Sequence, residues 1–136
     1  MRLDEEDSRF EVAPSTIPGA GLGLFARVAL AAGDRLAVVG VLIEPGSVAD
    51  ACTAYADPHK FRVGPLLLIP VGFGGMANHS DRPNLEKVIE GDRLFLRVLR
   101  EIAPGEELCF TYTRYAQERF LAPLDPESPR QPTLSA

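Results

Sequence analysis

A chain of 136 residues, 46% hydrophobic and 24% charged, can bury one core but is too short to divide into two ordinary domains. A formal charge of −5 argues against nonspecific nucleic-acid binding and suits a basic peptide partner. The polar, acidic start MRLDEEDSRF and the shortness of every apolar run give no sign of a signal peptide or membrane span, so a soluble, cytoplasmic protein is expected. Two cysteines, Cys52 and Cys109, are too few for a disulfide framework or a four-cysteine zinc site, and their apolar contexts read as core.

Along the chain, Phe10 to Pro14 reads as a short strand, and the glycine-rich turn Gly19 to Gly23 feeds an apolar stretch from Leu24 to Val28. Asp34 to Ile43 is a strand or a bent pair of strands. Ser47 can cap a short helix reaching about Ala56, with Asp50 in its first turn. Phe61 to Val71 is apolar, but Pro65 and Pro70 restrict it to broken or edge pairing. Residues 75 to 86, GMANHSDRPNLE, read as a loop dense in short polar groups. The turn at 90 to 92 joins Leu85–Ile89 to Arg93–Leu99 as a hairpin. A turn at Ala103 to Glu106 then leads into Leu108–Tyr112, where Leu108, Phe110 and Tyr112 alternate with Cys109 and Thr111. Thr113 can cap a last helix from Arg114 to about Leu121, and prolines at 123, 126, 129 and 132 predict a disordered tail. One domain over 1–121 and a tail over 122–136 follow. The layout is mainly β, with short strands and one or two small helices.

Three motifs carry chemistry. In GLGLFA at 21 to 26, two glycines one residue apart allow positive φ and close approach of a ligand to the main chain, although a tight turn is the commoner use. In NHSDRPN at 78 to 84, the short polar side chains can bond to local backbone; His79 and Asp81 alone are too few to hold a metal, so none is expected. In GEELCFTY at 105 to 112, a charged turn precedes a strand carrying two aromatics.

In this order and spacing the three motifs resemble the SET-domain protein lysine methyltransferases, over about Ile17 to Tyr112 and closest to the minimal viral and bacterial members. That resemblance implies a β-clip fold of short curved sheets whose C-terminal segment threads a preceding loop as a pseudoknot. It implies S-adenosylmethionine as cofactor, with the backbone of His79 on its adenine, the Asn78 side chain on its amino-acid end, and Gly21, Leu22, Gly23 and Leu24 adding backbone contacts. Tyr112 is then the catalytic tyrosine, beside the sulfonium methyl. Phe110 walls the substrate channel, with Tyr55 a candidate for another wall; phenylalanine at 110 implies di- or trimethylation.

Methyl transfer to nitrogen needs alignment and exclusion of water more than a strong base, because burial beside a cation itself disfavours the substrate ammonium. The substrate implied is a lysine in a basic protein tail, histone or other. The sequence also departs from the family pattern: Gly75 and Met76 stand where arginine and an aromatic are usual, Asp81 where cysteine is common, and Thr111 and Thr113 beside the tyrosine. With no C-terminal cysteine cluster, closure falls to Arg114–Leu121, with Tyr115 or Phe120, or to a second subunit in a homodimer. The alternative is a catalytically silent SET-like module that binds peptide or cofactor.

Overall fold

Strands form wherever β-branched and aromatic residues run together, but four of the seven strand pairings among the described residues join strands that are not consecutive in sequence. The computed structural model describes residues 7–112; the expected final helix and tail lie outside them. β1 (Phe10–Pro14) pairs antiparallel with β2 (Leu22–Ala26), from Phe10↔Ala26 to Pro14↔Leu22. β2 begins two residues before the predicted stretch because pairing with β1 draws Leu22 and Gly23 into the ladder. The turn ahead of it needs Gly19 and Gly21 at φ of +77 and +74, which residues bearing a Cβ rarely adopt.

The next apolar run is a bent pair, β3 (Arg35–Ala37) and β4 (Gly40–Ile43), whose halves enter different sheets. Ser47 caps α1 (Val48–Cys52), its hydroxyl accepting from the Asp50 N–H at 3.2 Å. α1 ends sooner than predicted, and the chain continues through a 3-10 segment, Ala54–His59, with Pro58 inside it. None of the residues of α1 is buried, so Cys52 is exposed and not in the core, whereas Cys109 is buried.

β5 (Phe61–Val63) and β6 (Leu66–Pro70) form a hairpin, and β6 is the middle strand between β4 and β5. The prolines had pointed to broken or edge pairing: Pro65 does break the stretch, sitting in the turn, but Pro70 is the last paired residue of a central strand, opposite Gly40. Neither interrupts the ladder between. The polar loop contains more structure than expected: a 3-10 turn, Phe73–Met76, and a two-residue strand β7 (Asn78–His79). β8 (Leu85–Glu90) and β9 (Arg93–Val98) form the predicted hairpin, with Gly91 at φ +64, and β3 adds to the other edge of β9.

The last strand, β10 (Glu107–Phe110), closes the fold. It pairs antiparallel with β2 (Glu107↔Phe25, Leu108↔Leu24) and parallel with β7 (Cys109↔Asn78, Phe110↔His79), giving the order β1-β2-β10-β7. This insertion between an early strand and a middle one is the form the pseudoknot takes. The predicted alternation ends at Phe110, and Leu108, Cys109 and Phe110 are all buried, so both faces of β10 are covered. Its Leu108 and the side chains of Leu24, Leu85, Leu96 and Ile102 form the least exposed part of the core. Among the described residues no helix is long and apolar enough to cross a membrane.

Asn84 locks the insertion. At 5% exposure it is the buried polar residue of the core, and its amide spans the β10 backbone: Nδ2 donates to the Glu107 carbonyl and Oδ1 accepts from the Cys109 N–H, each at 2.8 Å. Its own N–H donates to the Cys109 carbonyl at 3.2 Å. Asn84→Ala strips two partners from a buried backbone and is expected to cost about 2–4 kcal/mol. Urea denaturation measures it; a loss below about 1 kcal/mol contradicts the lock.

Candidate functional site

Pairing of β7 with β10 brings the Asn78–His79 turn against the residues that follow Phe110. The Tyr112 N–H donates to His79 Nδ1 at 3.0 Å, and the two rings lie edge to face with centroids 5.3 Å apart. Because Nδ1 accepts that bond, the ring proton sits on Nε2, which donates to Asp81 Oδ1 at 3.0 Å. Thr111 continues the seam, its hydroxyl donating to the Ser80 carbonyl at 2.8 Å. On β7 the Ser80 N–H donates to the Phe110 carbonyl at 3.0 Å. Successive backbone groups on a strand face opposite edges, so the N–H and C=O of His79 face the edge of the sheet away from β10.

A second convergence lies at the GxG turn. Glu107 Oε2 accepts from the Ser15 hydroxyl at 2.7 Å and Asn78 Nδ2 at 3.2 Å; Oε1 accepts from the Thr16 N–H at 2.8 Å and its hydroxyl at 2.7 Å. Burial raises the carboxyl pKa, but these hydrogen bonds outweigh it and hold Glu107 below its ordinary range. Asn78 Nδ2 also donates to the Leu22 carbonyl at 2.9 Å. Both its partners are pure acceptors, so the amide orientation is dictated: NH2 toward Leu22 and Glu107, Oδ1 turned the other way. Gly23 is required here for space rather than for positive φ, since a Cβ would collide with the Glu107 carboxylate and lie 3.2 Å from Asn78 Nδ2. Of the predicted loop residues, Gly21 and Leu22 are exposed, whereas Gly23 and Leu24 are buried inside the sheet.

Tyr112 stands between this region and a cavity of about 140 Å³. Its hydroxyl donates to the Ala77 carbonyl at 3.3 Å, and burial, with a smaller contribution from Cys109, pushes its pKa up to about 12. The phenol therefore remains protonated at any ordinary pH. Burial likewise, then the charge of Glu107, raises the Cys109 thiol to about 11, too high for a nucleophile. The ring of Tyr112 lies 5.0 Å from Phe110, and Phe110 lies 5.5 Å from Phe61. Four rings thus run unbroken from His79 into the cavity wall.

Phe61, Ala77 and Phe110 are the buried part of that wall, and His59, Arg62 and Lys87 are exposed at its rim. Tyr55, expected as a second wall, is outside the lining: the 3-10 segment turns it to the surface at 72% exposure. Phe61 stands in the wall instead, and hydrophobic periodicity had marked it only as a strand residue. The departure at Gly75 has a packing cause, since a Cβ there would lie 2.9 Å from Pro70 Cγ and an arginine has no room. Glu107 and Asn84 were also missed as functional positions; their signal was an acid opening a strand and an amide in a polar loop, neither of which names a distant partner. Among the described residues no three His, Cys, Asp or Glu side chains converge as a metal site.

These features can be set beside known proteins. The SET domain family model matches residues 21–113, from the GxG turn past the tyrosine. A crystal structure of a Plasmodium falciparum protein, described as a candidate histone methyltransferase, superposes with a TM-score of 0.61, covering 80% of this chain and 96% of that one. At 18% identity that likeness speaks to the fold. No curated protein sequence matches significantly. With most of its length under one family model and β10 threaded between β2 and β7, the chain belongs to the SET domain family.

Proposed function

We propose that the chain is an S-adenosylmethionine-dependent protein lysine N-methyltransferase. The observation that carries this reading is the run of rings from His79 through Tyr112 and Phe110 to the cavity, joining a polar turn to a separate, largely apolar pocket. A polar turn and an apolar cavity that meet at one tyrosine suit a donor on one side and an extended side chain on the other.

The residues fit the donor. The freely directed Asn78 Oδ1 can accept from the ammonium of its amino-acid end, and the Glu107 carboxylate adds a favourable field there. The outward N–H and C=O of His79 match the acceptor and donor on one edge of adenine. Gly21 and Leu22 are exposed alongside, with their carbonyls already accepting from the Ser15 N–H and Asn78 Nδ2. Held by Asn78, His79 and the turn at Gly21 and Leu22, S-adenosylmethionine would supply an electrophilic sulfonium methyl to the free amine nitrogen, with S-adenosylhomocysteine as the leaving group.

The chain's own part is to align and to dry. Phe61, Phe110 and Tyr112 surround the lysine stem with apolar surface, which disfavours the ammonium and lowers the cost of releasing its proton to solvent. Their π faces also tolerate methylated, still cationic products. Tyr112, fully protonated, can hold the amine only as a hydrogen-bonding phenol and not as a base. Catalysis then rests on positioning and water exclusion.

Incubation of the chain with isotopically labelled donor and lysine-bearing proteins, followed by mass spectrometry, tests the reading. Label on lysine nitrogen supports it. Donor binding with no transfer to any protein favours the silent binding module. Phe110 further predicts product state: the wild type is expected to reach di- or trimethyllysine, and Phe110→Tyr, whose added hydroxyl fills the space for later methyls, to stop mainly at monomethyllysine. An unchanged product distribution contradicts that role.

A further inference from the structure

The rim of the cavity is charged, and its sign is opposite to that of the whole chain. Arg62 comes from β5 and Lys87 from β8, elements of two different sheets, and Lys87 Nζ donates to the Arg62 carbonyl at 3.5 Å. The chain has only two lysines, Lys60 and Lys87, and both line this cavity. Lys60 brings its own counter-charges, with Asp50 Oδ1 and Asp57 Oδ1 each 2.6 Å from Nζ. Lys87 and Arg62 form no ion pair among the described residues, although the charge of Arg62 reaches Asp50 and, after the bonds from Lys60 and the Gly46 N–H, adds to what lowers its pKa.

The neighbouring carboxylates are engaged elsewhere. Asp50 Oδ2 accepts from the Gly46 N–H while Oδ1 holds Lys60, Asp57 is buried against Lys60, Glu86 pairs with Arg97, and Glu90 with Arg35. Among the described residues no acidic side chain lines the cavity. Two exposed cations therefore sit side by side at the opening without an ion-pair partner among the described residues. Partial burial, and then the charge of Arg62, holds the Lys87 ammonium below the ordinary lysine range, the direction expected where like charges crowd.

We propose that this opening selects a lysine flanked by acidic residues, with Arg62 and Lys87 binding aspartate or glutamate side chains next to the target. The inference rests on the methyltransferase reading for the identity of the target, and it replaces the basic tail that net charge and family resemblance favour. The net charge of −5 acts over the whole surface, but at physiological salt a flanking residue senses mainly charges within about 8 Å. At the rim Arg62 and Lys87 are positive, and the nearby Asp50 and Asp57 are already bound to Lys60. A basic flank would be pressed against two cations. An acidic flank supplies the missing counter-charge while the lysine stem lies against Phe61 and Phe110.

The test uses the full chain and fluorescent peptides that share one central lysine and differ only in having Asp/Glu, Ser/Gln or Arg on either side. Binding is read by anisotropy with S-adenosylhomocysteine present, and methylation separately by mass spectrometry. Acid-flanked peptides are expected to bind roughly fivefold or more tightly than neutral ones and more tightly still than basic ones. The preference should fade as salt rises from about 50 to 500 mM. The double variant Arg62→Glu with Lys87→Glu should invert the order while donor binding persists. Equal binding, tighter binding of the basic peptide, or no binding of any peptide overturns the proposal. Acid-selective binding without methyl transfer upholds the proposal and counts against the enzyme reading; transfer without flank preference does the reverse.

Discussion

Tyr112→Phe is expected to lower methyl transfer by about 100-fold or more, the scale of losing one well-placed hydrogen-bonding group, while the donor dissociation constant stays within about twofold. The substitution keeps the ring and so its contacts with His79 and Phe110 at 5.3 and 5.0 Å. Tyr112 contributes its backbone N–H to His79, which the variant retains. What disappears is one hydroxyl and its bond to the Ala77 carbonyl. Single-turnover kinetics with saturating donor separate transfer from binding.

The pH dependence adds an independent check. With a reference pKa of about 10.4, a substrate lysine is mostly protonated at neutrality, so the rate should rise with pH as the free amine increases. Because burial pushes the phenol up to about 12, ionisation of Tyr112 contributes no break in that range. Wild type and variant should therefore show the same slope at different heights. Wild-type turnover in a folded variant, or a rate that peaks below neutrality, would remove the assigned role.

Glu107→Ala should produce the second large effect, on stability and on donor affinity together. It leaves the Ser15 hydroxyl, the Thr16 N–H and hydroxyl, and Asn78 Nδ2 without their shared acceptor. Hydrogen bonds to an ionised group are stronger than neutral ones, and water replaces part of them at this half-buried site. A net cost of about 2–3 kcal/mol is expected, lowering Tm by roughly 10 °C. Asn78 also loses one of the two acceptors that orient it, so donor binding should weaken about tenfold, or about 1.4 kcal/mol.

Linkage makes the stability component specific. The Glu107 pKa is lower in the folded chain than the ordinary value of 4.5, so its contribution is fully present above that value and is lost as pH falls through the lower, folded one. Melts between about pH 3 and 8 should show the gap between wild type and Glu107→Gln shrinking only at the acid end. A gap that does not change with pH would mean that the carboxylate charge is not what holds the network.

Local elements were legible where the cue was local. Phe10–Pro14 was read to the residue, the hairpin around Gly91 announced itself through its turn, and Ser47 and Asp50 marked the start of α1. The three motifs, taken together, pointed to the family and to the residues that meet at Tyr112. Pairing partners were not legible, because periodicity reports which face of a strand is buried and not which strand covers its edge. Hence the 61–71 stretch, read as broken or edge-paired, is broken at Pro65 but its second half is a central strand, and Asn78–His79, read as loop, became a strand only through β10. Cys52 was misread for a related reason: alanines around a cysteine look like core, yet α1 has no buried side. The roles of Glu107 and Asn84 depend on contacts with residues far along the chain. The rim cations depend on the meeting of two sheets.

The placing of β10 between β2 and β7 also bears on the order in which the molecule can be built. Glu107 must find Phe25, and Cys109 must find Asn78, after the intervening chain has been made. Such high contact order slows folding, because the entropy of closing long loops is spent before these contacts form. Nascent chains that stop short of residue 107 can form the 85–98 hairpin but not the junction at Tyr112. The junction at Tyr112 is therefore expected to form late in folding, and ligands that bridge the GxG turn and β7 should act as chaperones for that final step.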